Sequence, residues 1–157
     1  MLKIAGIIMI ILSGTYLGFS KSASLKKRQE SLGKILYSLR LMENEISYGK
    51  CCMDKLFKNI TSLGGIAFDR ELGKSAGEIF LASVKNLQLD YEDIEILERF
   101  SKSLGTLDSE AQLKNIKNTV KNLELSEENA MAYYEKYGKM YRSMGVLTSL
   151  LAVIILI

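Results

Sequence analysis

Two stretches without a single charge constrain this chain more than any motif in it. Residues 4–19 read IAGIIMIILSGTYLGF, and residues 143–157 read SMGVLTSLLAVIILI. Between them the sequence is dense in Lys, Glu and Asp. This layout predicts a charged domain held at a membrane by both of its ends. As helices the two stretches differ in reach. Residues 2–19 extend about 27 Å, close to a hydrocarbon core of about 30 Å. Residues 143–157 alone reach only about 22 Å. Starting the second segment at Tyr141 adds length, with Tyr141 at headgroup level and Arg142 snorkelling to the interface. The organisation expected is a membrane helix over 1–20, a helical domain over 21–140 and a second membrane helix over 141–157.

The flanking charges give these helices a direction. A secretory signal peptide carries its positive charge ahead of the apolar run. Here only Lys3 precedes the first run, whereas Lys21, Lys26, Lys27 and Arg28 follow it. Lys136, Lys139 and Arg142 stand before the second. Positive charge is retained on the cytoplasmic side, so both segments predict retained anchors with the central domain in the cytoplasm.

Composition removes several chemistries. The chain has no His, so it has no imidazole base, no His-activated nucleophile and no His-bound metal. The net charge of +3, with basic and acidic residues interleaved, does not suit nucleic acid. Cys51 and Cys52 are adjacent and cannot form a framework of bridges. They read as reduced thiols at a helix start, and no second pair completes a zinc site. Gly64-Gly65 lacks the Lys-Ser/Thr of a phosphate loop. Glu43 and Glu45 are two apart and face different ways on a helix. No enzyme, cofactor or metal is expected.

With no Pro to remove amide donors and no runs of alternating β-branched residues, the fold class expected is all-α. The architecture is an antiparallel bundle of about five to six helices between the two membrane helices. Leu32, Ile35, Leu36, Leu39, Met42 and Ile46 recur at three- and four-residue steps and predict one long helix ending near Gly49. A second helix starts near Asp54, carries Leu56, Phe57, Ile60 and Leu63 inward, and stops at Gly64-Gly65. A third is expected over Asp69–Asn86, with Leu72, Ala76, Ile79, Phe80 and Val84 on its apolar side. Asp90 can cap a fourth bearing Ile94, Leu97, Phe100 and Leu104, and Gly105 can end it. The fifth starts near Asp108 or Ser109 and shows Leu113, Ile116, Val120, Leu123, Ala130, Met131, Tyr134 and Tyr137. Gly138 and Gly145 weaken it by about 1 kcal/mol each without stopping it. Each anchor is therefore expected to continue into a long helix of the bundle.

Three spaced blocks carry a family resemblance. Glu43-Asn44-Glu45-Ile46-Ser47-Tyr48-Gly49 resembles the L-E-x-E-I-x-Y-G signature of the stage III sporulation protein AB family. Leu104 to Leu113, LGTLDSEAQL, is similar to that family's L-G-x-x-D-x-x-x-Q stretch. Lys139 to Leu147, KMYRSMGVL, runs as in the family into an apolar tail. One departure is visible: the family commonly has Thr-Pro-Leu after the Tyr-Gly turn, and here Cys51-Cys52-Met53 stand instead, without the Pro that opens a helix well.

The resemblance implies kinship with the cytoplasmic helical domains of type II secretion and type IV pilus inner-membrane platform proteins. It implies a place in the mother-cell membrane around the forespore, within a channel joining the two cells. The partners it implies are a secretion-type ATPase of the same operon, other mother-cell channel proteins and membrane lipid; a second copy of the chain is left open. On that reading the partner-binding candidates are Arg40, Glu43, Glu45, Tyr48 and Gly49 at one helix end, with Asp108 and Gln112 at the facing turn. Their plainer roles are caps for Asp108 and Gly49 and core packing for Tyr48. The other reading of the chain is a membrane-tethered helical sensor or adaptor for a cytosolic partner unrelated to secretion.

Overall fold

A computed structural model describes residues 2–48, 53–68 and 74–156. Gly49, Cys51, Cys52 and Leu72 lie outside them, with whatever was expected of each. Among the described residues the chain forms five helices and no strand: α1 Leu2–Tyr48, α2 Met53–Ser62, α3 Ala76–Lys85, α4 Tyr91–Ser103 and α5 Ser109–Leu156. The all-α class is as the sequence predicts. Two compact units share α1 and α5, one made of residues 1–29 and 129–157, the other of residues 30–128.

In the first unit the two helices run antiparallel and meet through small residues. A methyl group placed on Gly14 would lie 2.7 Å from Cβ of Ser149. One on Gly18 would lie 2.7 Å from the Tyr141 carbonyl oxygen and 3.0 Å from Cα of Gly145. Further along, Gly138 faces Ser22. Glycine lets the backbones approach this closely, which is how helices associate in lipid, where apolar side chains gain nothing by leaving their surroundings. Hydroxyls along these stretches bond backward to their own helix: Ser149 Oγ to Val146 O at 2.7 Å, Thr148 Oγ1 to Met144 O at 2.7 Å and Ser13 Oγ to Ile10 O at 3.1 Å. The large apolar side chains, among them Met9, Leu17, Ile154 and Ile155, point outward. Both α1 and α5 are long and apolar enough to cross a membrane. As expected, Gly138 and Gly145 do not stop α5, and both also face α1.

The second unit is built the other way. Leu32, Ile35, Leu36, Leu39 and Met42 form the predicted stripe and are all fully or nearly fully buried. Leu56 and Ile60 of α2, Phe80 of α3, Leu97 and Phe100 of α4, and Ile116 and Leu123 of α5 are likewise shielded from solvent in this unit. Phe57, Phe68, Phe80 and Phe100 stack or meet edge-on in sequence, with centroids 4.5, 6.1 and 5.1 Å apart. Gly77 seats α3 on α4, since a methyl group there would overlap the Ser101 carbonyl.

The helix ends follow local rules. After α2, the Gly65 amide donates to Ile60 O and the Gly64 amide to Thr61 O, with Gly64 at φ +83°, a Schellman stop. Leu63 therefore sits past the helical turn and is exposed, not inward as its spacing suggested. The expected start of the third helix, Asp69, lies outside the described residues; α3 begins at Ala76, where Ser75 and Glu78 form a reciprocal capping box. Gly105, also at φ +83°, follows α4 as expected. Met131 is exposed, because Ala130 beside it takes the inward position on α5.

Candidate partner-binding face

Within residues 30–128, α1 and α5 run antiparallel, and two ion pairs set their register. Arg40 Nη2 donates to Glu124 Oε1 at 2.7 Å, and Lys117 Nζ lies 3.7 Å from Glu43 Oε1. Both helices rise about 1.5 Å per residue, so five residues beyond the Glu43–Lys117 level Tyr48 falls level with about Gln112. The opposite end of this unit is where α1 enters and α5 leaves; there Gly33 lies against Glu127. Glu43, Glu45, Tyr48, Asp108 and Gln112 thus gather at one end, as the antiparallel arrangement predicts. Arg40 stands about 12 Å behind Tyr48 along α1 and one turn behind Glu43.

These residues do not all face solvent. Tyr48 is 91% exposed, so its expected packing role is corrected: it ends α1 pointing into water. Glu43 and Glu45, two apart, reach different neighbours. Glu43 faces Lys117 of α5, while Glu45 Oε1 accepts from Asn59 Nδ2 of α2 at 3.4 Å. Asp108 does cap: its Oδ1 accepts from the Ala111 amide at 3.2 Å and its carbonyl from the Gln112 amide at 2.8 Å. An acid there also suits the positive end of the helix dipole. Gln112 is buried at 2% exposure, and neither side-chain amide atom has a hydrogen-bond partner. Leaving such a group unpaired costs about 1–3 kcal/mol. As folded, it offers nothing to a partner at the surface.

Sequence reasoning missed polar side chains that tie this unit together. Ser38 Oγ donates to Lys34 O and accepts from the Ile66 amide, both at 2.8 Å, and so pins the segment after α2 to α1. A serine in the midst of the α1 apolar stripe was the available signal. Asn115 Nδ2 donates to Ser103 Oγ at 2.6 Å and ties α5 to α4. That pair borders a hollow of about 290 Å³ flanked by Arg99, Asn118 and Asn122. Among the described residues no cluster of three or more Cys, Asp and Glu side chains converges as metal ligands do.

Comparison with known proteins now adds to this geometry. The family model for stage III sporulation protein AB matches residues 3–157. The stage III sporulation protein AB of Bacillus subtilis (strain 168) is 30% identical over 171 aligned residues, covering 99% of both chains. No solved structure matches the chain.

Proposed function

Because this chain belongs to the stage III sporulation protein AB family, we propose that it serves sporulation as a non-catalytic membrane platform whose helical unit docks a secretion-type ATPase. The two apolar helices seat it in the mother-cell membrane around the forespore, beside other channel proteins. The unit of residues 30–128 lies in the mother-cell cytoplasm. Flanking charge supports that orientation, since all the basic residues near the apolar stretches except Lys3 stand on the side of the helical unit.

The observation that carries the docking role is Tyr48. A large aromatic side chain left 91% exposed at a helix end, beside Glu45 and the Asp108 cap, has the character of an interface anchor. The test is affinity capture of the full-length chain from sporulating cells at native expression. Wild type is expected to recover the operon's ATPase. Tyr48→Ala should reduce recovery at least tenfold, the loss of about 1.4 kcal/mol or more expected of a hot spot. Tyr91→Ala, also at an exposed tyrosine, should leave it intact. Failure of wild type to recover any ATPase, or equal losses from both variants, overturns the assignment.

A further inference from the structure

The unit of residues 1–29 and 129–157 holds a second feature that docking does not use. Apart from Lys3, its charged residues are Lys21, Lys26, Lys27 and Arg28 on α1, with Glu135, Lys136, Lys139 and Arg142 on α5. That is seven cations and one carboxylate. The glycine contacts bring them to common levels. Gly18 against Gly145 and Ser22 against Gly138 fix the antiparallel register. Counting from Gly18, Lys21 and Arg142 stand about 4–5 Å along the pair and Lys139 about 9 Å. Lys26, Lys27, Arg28 and Lys136 stand at about 12–15 Å. Two helices distant in sequence thus build one basic collar about 10 Å tall, beginning where their apolar surface ends.

Its lower tiers, Lys21, Arg142 and Lys139, span a depth that fits within a headgroup layer, which adds about 5–7 Å beyond the hydrocarbon on each side. The upper tier lies within a further Debye length of about 8–10 Å. Tyr137 shares the level: Lys136 Nζ sits 5.1 Å from the centre of its ring, and the Tyr133 ring, one turn further along, lies 4.4 Å from it. Arg142 Nε donates to Gly138 O at 3.2 Å, which holds the guanidinium stem at its tier. Orienting a chain during insertion needs only positive charge near each helix. The pairing of α1 with α5 then sets the cations of both helices side by side at one depth.

We propose that this collar binds anionic phospholipid headgroups in the leaflet beside it, through their phosphate oxygens. The proposal rests on the reading of α1 and α5 as membrane helices. Its test uses the full-length chain in nanodiscs of mixed phosphatidylglycerol and phosphatidylcholine, with the lipids retained by the protein identified by mass spectrometry. Phosphatidylglycerol should be enriched roughly fivefold for each cation that reaches a headgroup, and the enrichment should fall in high salt. Replacing the exposed Lys21, Lys27, Lys136 and Lys139 with Gln should abolish it. Replacing Lys114, Lys117 and Lys121 on the other unit with Gln should not. Equal retention of both lipids, or no change in the fourfold variant, overturns the collar. Displacement of the lipid by millimolar inorganic phosphate would show a soluble-anion site and overturn it as well. Alkaline carbonate extraction separates the two failures. A chain washed off the membrane sinks the membrane reading, whereas one retained without lipid preference sinks only the collar.

Discussion

The same two helices, α1 and α5, obey opposite rules in the two units they share. Over residues 1–29 and 129–157 they meet through Gly14, Gly18, Gly145 and Ser149, and they turn Met9, Leu17 and Ile154 outward. Over residues 30–128 they bury Leu32, Leu39, Ile116 and Leu123, and the ion pairs Arg40–Glu124 and Glu43–Lys117 lie nearer the surface. The difference is the one expected between a helix pair in lipid and a bundle in water. In water, hiding a Leu or Ile contributes about 1.5–3 kcal/mol, so large apolar side chains make the contact. In lipid that gain vanishes and close backbone approach takes its place. One continuous helical pattern can therefore serve both regions only by exchanging which residue sizes it places inside.

The contrast breaks if a large side chain can be removed from the water-facing core without penalty. Phe80 is fully buried between Phe68 and Phe100. Phe80→Ala should cost about 3–5 kcal/mol in denaturant unfolding of the full chain in detergent. Hydrogen exchange should rise across 76–104 and stay slow over 6–20 and 143–155. Exchange rising equally in both regions would mean that they do not hold together by separate rules.

A smaller effect of opposite chemistry is expected in the apolar pair, where adding apolar volume should do harm. At Gly18 the atoms that would meet a side chain are backbone atoms of Tyr141 and Gly145, which cannot swing aside. Gly18→Leu should destabilise the pairing by about 1–3 kcal/mol, as overpacking does. Gly6 has no atom within 4 Å of its would-be methyl, so Gly6→Leu should be silent. Spin labels at Leu12→Cys and Leu151→Cys, with Cys51 and Cys52 replaced by Ser, report the separation of the helices. It should lengthen in Gly18→Leu and not in Gly6→Leu. Identical distances would remove the small-residue seam as the cause of pairing.

The legibility of this fold divides along the same line. Features decided by a few neighbouring residues were readable: the Leu32–Met42 stripe, the stop at Gly64-Gly65, Gly105 after α4 and Asp108 at the head of α5. The start of α3 was readable too, from Ser75 and Glu78, but apolar spacing drew the prediction back to Asp69. Leu63 and Met131 kept the right spacing yet lie outside, because a cap or a better-placed neighbour decides the last increment of rotation. What stayed hidden depends on a partner far along the chain. Gly138 and Gly145 look like defects until Ser22 and Gly18 are set against them. Phe68 belongs to no periodic segment yet joins the aromatic row. The candidate face was legible as a location, since antiparallel packing brings residues 43–48 and 108–112 together. Its surface chemistry was not, because neither the exposure of Tyr48 nor the burial of Gln112 has a local signal.

The smallest effect concerns a short-range device found, among the described residues, only in the unit of residues 30–128. Ser75 and Glu78 satisfy each other at the start of α3: Ser75 Oγ accepts from the Glu78 amide at 3.3 Å, while Glu78 Oε2 accepts from the Ser75 amide at 2.7 Å and from its hydroxyl at 3.0 Å. The amide bond first, then the hydroxyl bond, lower the Glu78 carboxyl below the ordinary glutamate range, with nearby Lys74 adding to the effect. A carboxyl whose folded pKa is depressed contributes stability above its unfolded pKa of about 4.3 and loses it as pH falls through the lower folded value. Ser75→Ala removes both hydroxyl bonds and should cost α3 about 1 kcal/mol at neutral pH. The cost should shrink in acid, where Glu78 is protonated and its bond from the hydroxyl is already weakened. It should not vanish, because the hydroxyl still accepts from the Glu78 amide. Hydrogen exchange of the α3 amides in both chains, at neutral pH and below pH about 4, measures the gap. A gap that stays constant or widens in acid would show that the carboxylate takes no part in holding the start of α3.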